Sequence, residues 1–331
     1  MKNLRAGLLG VGMMGRHHAR VLREISGVDL VAIADPIGDV HNVTGDLPLL
    51  DSVQQIIAAG VDYCVVAIPT AFHRDAALVL ADAGVAALIE KPIAATGQEA
   101  REIVAAFAAN GVVGGVGHIE RYNPALQQAR VRMENGDLGE IFQVSTRRVG
   151  PFPARIADVG VIKDLGSHDI DSTAWITQST YDTVFAQTAH QSGRPHEDLV
   201  AVTGRLSGDI VANHLVNWLS PLKERVTVIT GEKGAFIADT LTADLTFYAN
   251  GKVASEWVSL ADFRGVSEGD MIRYAFPKAE PLRTEHEAFR DAVLGLDDQI
   301  VTLAQGSDTL RVAEACLASA DSGAAVQLSS P

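Results

Sequence analysis

Cysteine is scarce. Two residues, Cys64 and Cys316, occur in 331, both in apolar surroundings, so they read as separate buried thiols. Neither a disulfide framework nor a zinc-type ligand spacing is available. Aromatic residues make up only 5 %, and Trp175, Trp218 and Trp257 are scattered, as core or interface residues are. Basic residues are outnumbered 27 to 41, for a formal charge of −14. With no long basic cluster, nucleic acid and anionic membrane are poor partners. No apolar run reaches membrane-spanning length. The opening MKNLRAGLLG flows into a strand-like segment without the apolar region and cleavage site of a signal peptide, so a cytoplasmic location is expected. His17 and His18 are adjacent and cannot both face one metal, and no metal site is expected. The GSHD stretch is not a nucleophile elbow.

What is present is an ordinary globular balance, 47 % hydrophobic and 21 % charged residues, in a chain long enough for two domains. The first third alternates continuous β-branched runs (LRAGLLGV, VDLVAIADP, VDYCVVAIP, VAALIEKP, VVGGVGHI) with helical stretches that end in glycine. That alternation predicts a parallel sheet covered on both faces. After about residue 120 the texture changes. A helix is expected over NPALQQARVRMENG, another over DLGSHDIDSTAWITQ, and from 182 to 260 alternating strands with tight turns predict an antiparallel sheet. Residues 261–281 lack periodicity and read as a mobile loop, and two helices close the chain. The expected architecture is α/β: a dinucleotide-binding Rossmann domain over 1–120 and a substrate and oligomerisation domain over 121–331, with the last helices packing back on the first domain.

The stretch LLGVGMMGRHHARVL places Gly10, Gly12 and Gly15, with Met13 and Met14 between them, where a first strand becomes a first helix. That spacing supplies a sharp turn, a close backbone approach to a pyrophosphate, and tight helix–strand packing, with the helix N-terminus facing the phosphates. Asp35 ends the second strand, where a carboxylate accepts hydrogen bonds from the adenosine ribose and repels a 2′-phosphate. With no arginine closely following, NAD is expected over NADP. AIPTAFH and IEKP leave the third and fourth strands at their C-terminal ends, where such sheets bind ligands. Lys91 is either a crevice residue or a solvated surface charge.

The ordered set of G-x-G-x-x-G at Gly10–Gly15, Pro69-Thr70 with His73, Glu90-Lys91-Pro92, Gly117-His118 with Arg121, and DLGSHDID at 164–171 resembles the glucose–fructose oxidoreductase and inositol dehydrogenase (Gfo/Idh/MocA) family. The resemblance covers nearly the whole chain. It implies a Rossmann domain followed by an α/β domain whose open, mainly antiparallel sheet forms the contact of a homodimer or homotetramer. It also implies that Pro69, Thr70, His73 and Glu90 attend the cofactor, and that Lys91, Asp164 and His168 line the site of a dehydrogenase acting on a secondary alcohol. Such oxidation needs a base to take the hydroxyl proton as hydride leaves for the nicotinamide. Asp164 and His168, at i and i+4, share a helix face. Either His168 is that base and Lys91 stabilises the developing oxyanion, or Lys91 takes the proton and His168 positions the substrate. Otherwise Asp164 is a capping carboxylate and His168 a satisfied core histidine.

Three stretches, GHIERYNPA, RRVGPFPARIADVGV and NWLSPLKERVTVITGEKG, are similar to dehydrogenases that oxidise the 3-hydroxyl of UDP-N-acetylglucosamine or its uronate. On that resemblance Arg121, Arg148 and Arg155 offer forked donors to phosphate or carboxylate, Asn123 reads an acetamido group or hydroxyl, and His118 joins them. Lys223 and Arg225 serve likewise or lie idle at a sheet edge. A free inositol or aldose is the alternative substrate, and a dinucleotide-sensing regulator without catalysis the alternative of another class.

Overall fold

A computed structural model describes residues 3–153, 159–251 and 268–328. The chain forms two compact units, one of Met1–Ile119 with Glu280–Arg311, the other of Glu120–Ala279 with Val312–Pro331.

The first unit begins β1 (Leu4–Leu9), α1 (Gly15–Glu24), β2 (Val28–Ala34), β3 (Leu49–Leu50), α2 (Val53–Ala58), β4 (Tyr63–Val66), α3 (His73–Asp82), β5 (Ala86–Glu90), α4 (Gly97–Asn110) and β6 (Gly114–Gly117). Its strands form one sheet in the order β3-β2-β1-β4-β5-β6, every pair parallel. The continuous apolar runs have their cause here: all four residues of β4 are buried, because helices cover both faces of a parallel sheet. The order reverses between β1 and β4, the switch point that opens a crevice beyond the strand C-termini. The two-residue β3 has no counterpart in the sequence reading, since two leucines carry no period. Cys64 is buried in this sheet and Cys316 in the second unit. Both are free thiols, and burial pushes each up to about 12.

The second unit holds α5 (Pro124–Glu134), β7 (Ile141–Pro151), α6 (Ser167–Thr177), β8 (Tyr181–Ala189), β9 (Leu199–Leu206), β10 (Val211–Asn217), β11 (Leu219–Gly231), β12 (Gly234–Asp239), β13 (Asp244–Asn250) and β14 (Glu268–Arg273). Between β14 and the end of the chain, α7 (Pro281–Val293) belongs to the first unit, α8 (Leu303–Ser322) runs from the first unit into the second, and β15 (Val326–Gln327) belongs to the second. The nine strands run β14-β13-β12-β11-β7-β10-β9-β8-β15, with β7 and β10 parallel and the other pairs antiparallel. Strict alternation in β9 and β10 buries one side chain in two, as expected when one face is covered and the other solvated. Ile170 of α6 packs with Val184, Val202 and Ala212, and Leu126 of α5 with Ile229, Phe236 and Phe247. The expectation of a loop over 261–281 is corrected in part. Glu268–Arg273 is an edge strand paired with β13, and its polar sequence hid it because an edge strand needs little apolar alternation. Residues 252–267 lie outside the described residues, Trp257 among them.

His214 of β10 is 2 % exposed, with Nδ1 2.8 Å from the Thr146 hydroxyl and Nε2 2.7 Å from the Tyr181 hydroxyl. Burial pushes its pKa from 6.5 down to about 4. The unfolded chain therefore takes up a proton before the folded one does, and the stability is intact above pH 6.5 and lost as pH falls toward 4. The loss amounts to about 3 kcal/mol in all. Urea-unfolding midpoints across that window should fall less steeply in His214→Gln than in the parent; identical slopes would show that His214 is not the titrating group.

Candidate cofactor and catalytic site

In the first unit the three glycines of the turn differ in what surrounds them. Gly10 has φ +95°, and a methyl group there would lie 2.4 Å from the Ala67 carbonyl oxygen. One on Gly15 would lie 2.0 Å from the Gly10 carbonyl oxygen, so the start of α1 is packed directly on the turn. A methyl group on Gly12 would meet nothing among the described residues within 4 Å beyond its chain neighbours, and this open side is an approach left for a ligand. Met14 precedes α1 and makes no side-chain cap, while Met13 stands 42 % exposed at the lip of the turn. The Asp35 carboxylate accepts the Val11 N–H and the Ile37 N–H, each at 2.9 Å. It therefore braces the glycine turn and keeps oxygen lone pairs for further donors. An open cradle, an uncapped helix start and an acid at the end of β2 together fit a dinucleotide. Asp35→Ser should shift the ratio of NADP to NAD dissociation constants about tenfold toward NADP, the equivalent of roughly 1.4 kcal/mol; an unchanged ratio in fluorescence titration would mean that another group reads the ribose.

The other candidates in this unit follow the C-terminal ends of neighbouring strands. Pro69 and Thr70 lie beyond β4, Glu90 ends β5 with Lys91 next, and His118 follows β6. The Lys91–Pro92 peptide is cis. Lys91 is half-buried, whereas His118 is 1 % exposed and its backbone N–H bonds the Val116 carbonyl at 2.8 Å. His73 and Glu90 face inward. His73 is 1 % exposed with its ring nitrogens on two backbone carbonyls, and Glu90 lies against the ring of His18 at 2.8 Å.

In the second unit, the segment expected to be one regular helix begins with a wide turn. Ile162–Gly166 closes i→i+5 hydrogen bonds before α6 starts at Ser167, the kind of local insertion that often marks a functional site. Four residues still return close to the same side, and Asp164 and His168 are both buried. Around them is a cluster of charge. Arg121 grips Asp171 with two bonds, Nε at 2.8 Å and a terminal nitrogen at 2.6 Å. Arg148 donates to Asp169 at 2.7 Å and to Glu120 at 2.9 Å. Burial would raise the Glu120 pKa, but Arg148, then Arg225 and Thr240, hold it below its ordinary value. Burial lowers that of Arg225, with Arg148 repelling it and Glu120, Asp169 and Asp164 attracting it.

This arrangement changes the reading of three residues. Arg121 and Arg148, expected to offer forks to substrate phosphate, have them engaged by carboxylates of their own chain. Asn123 caps α5, its Oδ1 accepting the Ala125 N–H at 3.0 Å while its Nδ2 donates to the Thr240 carbonyl at 3.0 Å. Asp171 is the partner of Arg121. Lys223 is exposed and Arg225 half-buried, while Arg155 lies outside the described residues. Glu120, Asp169 and His286 escaped the sequence reading, and His18 entered it only as a neighbour of His17. The only signal for them was a charged residue inside an otherwise apolar helix pattern, and a solvated face explains that signal equally well. Lys91 belongs to the first unit, Asp164 and His168 to the second.

A six-stranded parallel sheet in 3-2-1-4-5-6 order, with an open glycine turn and an acid at the end of its second strand, defines a dinucleotide-binding protein of the Rossmann class. Residues 4–118 match the profile described as "Oxidoreductase family, NAD-binding Rossmann fold", and residues 126–237 match the "GFO/IDH/MocA C-terminal domain". The chain belongs to the Gfo/Idh/MocA oxidoreductase family, and its cofactor is NAD. It is 33 % identical over 184 residues to the "Rhizopine catabolism protein MocA" of Rhizobium meliloti, covering 54 % of this chain and 58 % of that one. It is 33 % identical over 183 residues to a "UDP-N-acetylglucosamine 3-dehydrogenase" of Acidithiobacillus ferrooxidans, covering 54 % and 55 %. The chain thus matches little more than half the length of these curated relatives. The solved structure of that dehydrogenase, GnnA, has the same fold, with TM-score 0.83 at 24 % identity over 97 % of this chain and 99 % of that one. No helix among the described residues is long and apolar enough to cross a membrane.

Proposed function

We propose that this protein transfers hydride between NAD and a secondary hydroxyl of a sugar, with Lys91, Asp164 and His168 at the reacting carbon. The observation that carries the reading is the Glu90-Lys91-Pro92 segment, which leaves β5 at the same sheet edge as the open Gly12 turn. Bound NAD supplies the hydride acceptor. The chain supplies the proton chemistry: one of Lys91 Nζ and the His168 imidazole takes the hydroxyl proton, and the other holds the oxygen as negative charge develops on it. The Asp164 carboxylate orients the imidazole or stabilises its cation. The charge around α6 suits this task, because the carboxylates of Glu120, Asp164, Asp169 and Asp171 outnumber the guanidiniums of Arg121, Arg148 and Arg225.

For the substrate we favour the 3-hydroxyl of a UDP-N-acetylhexosamine or its uronate, supported by the GHIERYNPA stretch and the similarity to the Acidithiobacillus enzyme. The inward pairing of Arg121 and Arg148 favours the second reading, an unphosphorylated inositol or aldose, which needs no diphosphate-binding cations. A turnover screen with NAD over UDP-N-acetylglucosamine, its uronate, myo-inositol and simple aldoses decides between them. Turnover of the free polyols alone removes the nucleotide-sugar reading, and NADH binding without turnover of any sugar favours a regulator. Subunit association is assigned to the solvated face of the nine-stranded sheet, where Phe185 and Tyr248 stand exposed.

A further inference from the structure

The three residues Glu90, Lys91 and Pro92 are held from both sides by buried histidines that lie on different helices. On one side His18 of α1, 0 % exposed, sets Nε2 2.8 Å from Glu90 Oε1 and Nδ1 2.8 Å from Nε2 of His286, also 0 % exposed, on α7. The second Glu90 oxygen accepts the backbone N–H of Lys91 at 3.1 Å. On the other side His73 of α3 sets Nδ1 3.0 Å from the Pro92 carbonyl oxygen and Nε2 2.9 Å from that of Ile68. One ring therefore spans the segments that follow β4 and β5.

The protons along the first chain can be placed. Burial would raise the Glu90 pKa, but the hydrogen bond and charge of His18, with Lys91, bring it below its ordinary value. The carboxylate is thus an acceptor only, and His18 carries its proton on Nε2. Its Nδ1 is then the acceptor for the Nε2–H of His286. Burial holds the His286 pKa well below its usual value. Each ring's orientation is fixed by the bond at its other nitrogen.

We propose that His18 and His73 are positioning residues for Lys91, fixing the Glu90 side chain and the Pro92 carbonyl on either side of it and so setting where the lysine amine stands at the crevice. The inference rests on the reading that Lys91 acts on the reacting oxygen. Neither histidine touches cofactor or substrate in it. Through the Ile68 carbonyl, His73 also couples this segment to the Pro69-Thr70 stretch.

The test uses four variants of the full chain with NAD and UDP-N-acetylglucosamine, or with myo-inositol where only the polyol turns over. His18→Leu removes the donor to Glu90, and His18→Gln returns an N–H near the place of Nε2. Glu90→Gln leaves an amide that cannot accept from both His18 and the Lys91 N–H, and Lys91→Met tests the underlying reading. For His18→Leu we expect kcat to fall about 10- to 100-fold, the span of a misplaced catalytic group. KM for the sugar and the NADH dissociation constant should stay within about threefold, since uniform binding is untouched. His18→Gln should recover most of the lost kcat. Should His18→Leu fail to fold, Glu90→Gln reads the same link and should show the same split. The inference is overturned by folded His18→Leu or Glu90→Gln with parental kcat, by a loss confined to NADH affinity, or by His18→Gln no better than His18→Leu. If Lys91→Met keeps full turnover, the catalytic reading falls and takes the inference with it. If Lys91→Met is inactive and His18→Leu is not, the inference alone falls.

Discussion

Lys91→Met should lower kcat by about two to four orders of magnitude, the range that a proton-transferring or oxyanion-stabilising group contributes. Methionine keeps the length of the side chain and removes its charge and its donors. The effect should be confined to chemistry. In the proposed site the cofactor's pyrophosphate and ribose fall to the Gly12 turn and Asp35, at the ends of β1 and β2, while Lys91 follows β5 two strands away from β1. The NADH dissociation constant should therefore stay within about threefold of the parent, because no uniform-binding contact is removed. Steady-state kinetics on a sugar that turns over, beside a fluorescence titration with NADH, separates the two quantities. Turnover within about fivefold of the parent, less than a general acid–base group contributes, would strip Lys91 of its role.

The second large effect is expected at Gly15. A methyl group there would sit 2.0 Å from the carbonyl oxygen of Gly10, a backbone atom of the turn itself, with no flexible side chain to swing aside. Either α1 withdraws from the turn or the turn opens, and overpacking of this kind costs about 1–3 kcal/mol or more. Gly15→Ala should therefore lower the thermal midpoint and weaken NADH by at least about tenfold, a loss of roughly 1.4 kcal/mol. Gly12→Ala is the contrast. Its methyl would meet nothing among the described residues within 4 Å, so the midpoint should hold while the methyl occupies the space left for the pyrophosphate and NADH weakens. Equal midpoints for the two variants would show that Gly15 is not packed on Gly10. Unchanged NADH affinity in Gly12→Ala would show that the ligand does not approach there.

The sequence exposed the features that repeat and hid those that depend on a single long-range contact. The parallel sheet was legible because β1, β2, β4, β5 and β6 are runs of apolar residues separated by helices that end in glycine. The glycine turn and the acid at the end of β2 were legible because their places follow from spacing alone. Arg121, Arg148 and Asn123 were read as donors to a ligand because a sequence displays a charge without its partner, and Asp171, Glu120, Asp169 and the Thr240 carbonyl come from positions up to 117 residues away. His18 was read only as a neighbour of His17 that could not share a metal with it, for the same reason. Its partners, Glu90 and His286, lie 72 and 268 residues distant, and nothing in GRHHARVL shows which imidazole turns inward. The wide turn at Ile162–Gly166 was hidden because its residues fit a regular helix equally well.

The central claim is that the dinucleotide lies across the Gly10–Gly15 turn with its nicotinamide beside both Lys91 and His168. A crystal structure of the protein with NADH and a sugar substrate or product tests it most directly. The expected result is the pyrophosphate against Gly12 and the start of α1, with the Lys91 amine and the His168 ring both within hydrogen-bond reach of one sugar hydroxyl, about 3 Å. A nicotinamide ring bound away from Lys91, or a His168 ring that no bound sugar reaches, would contradict it.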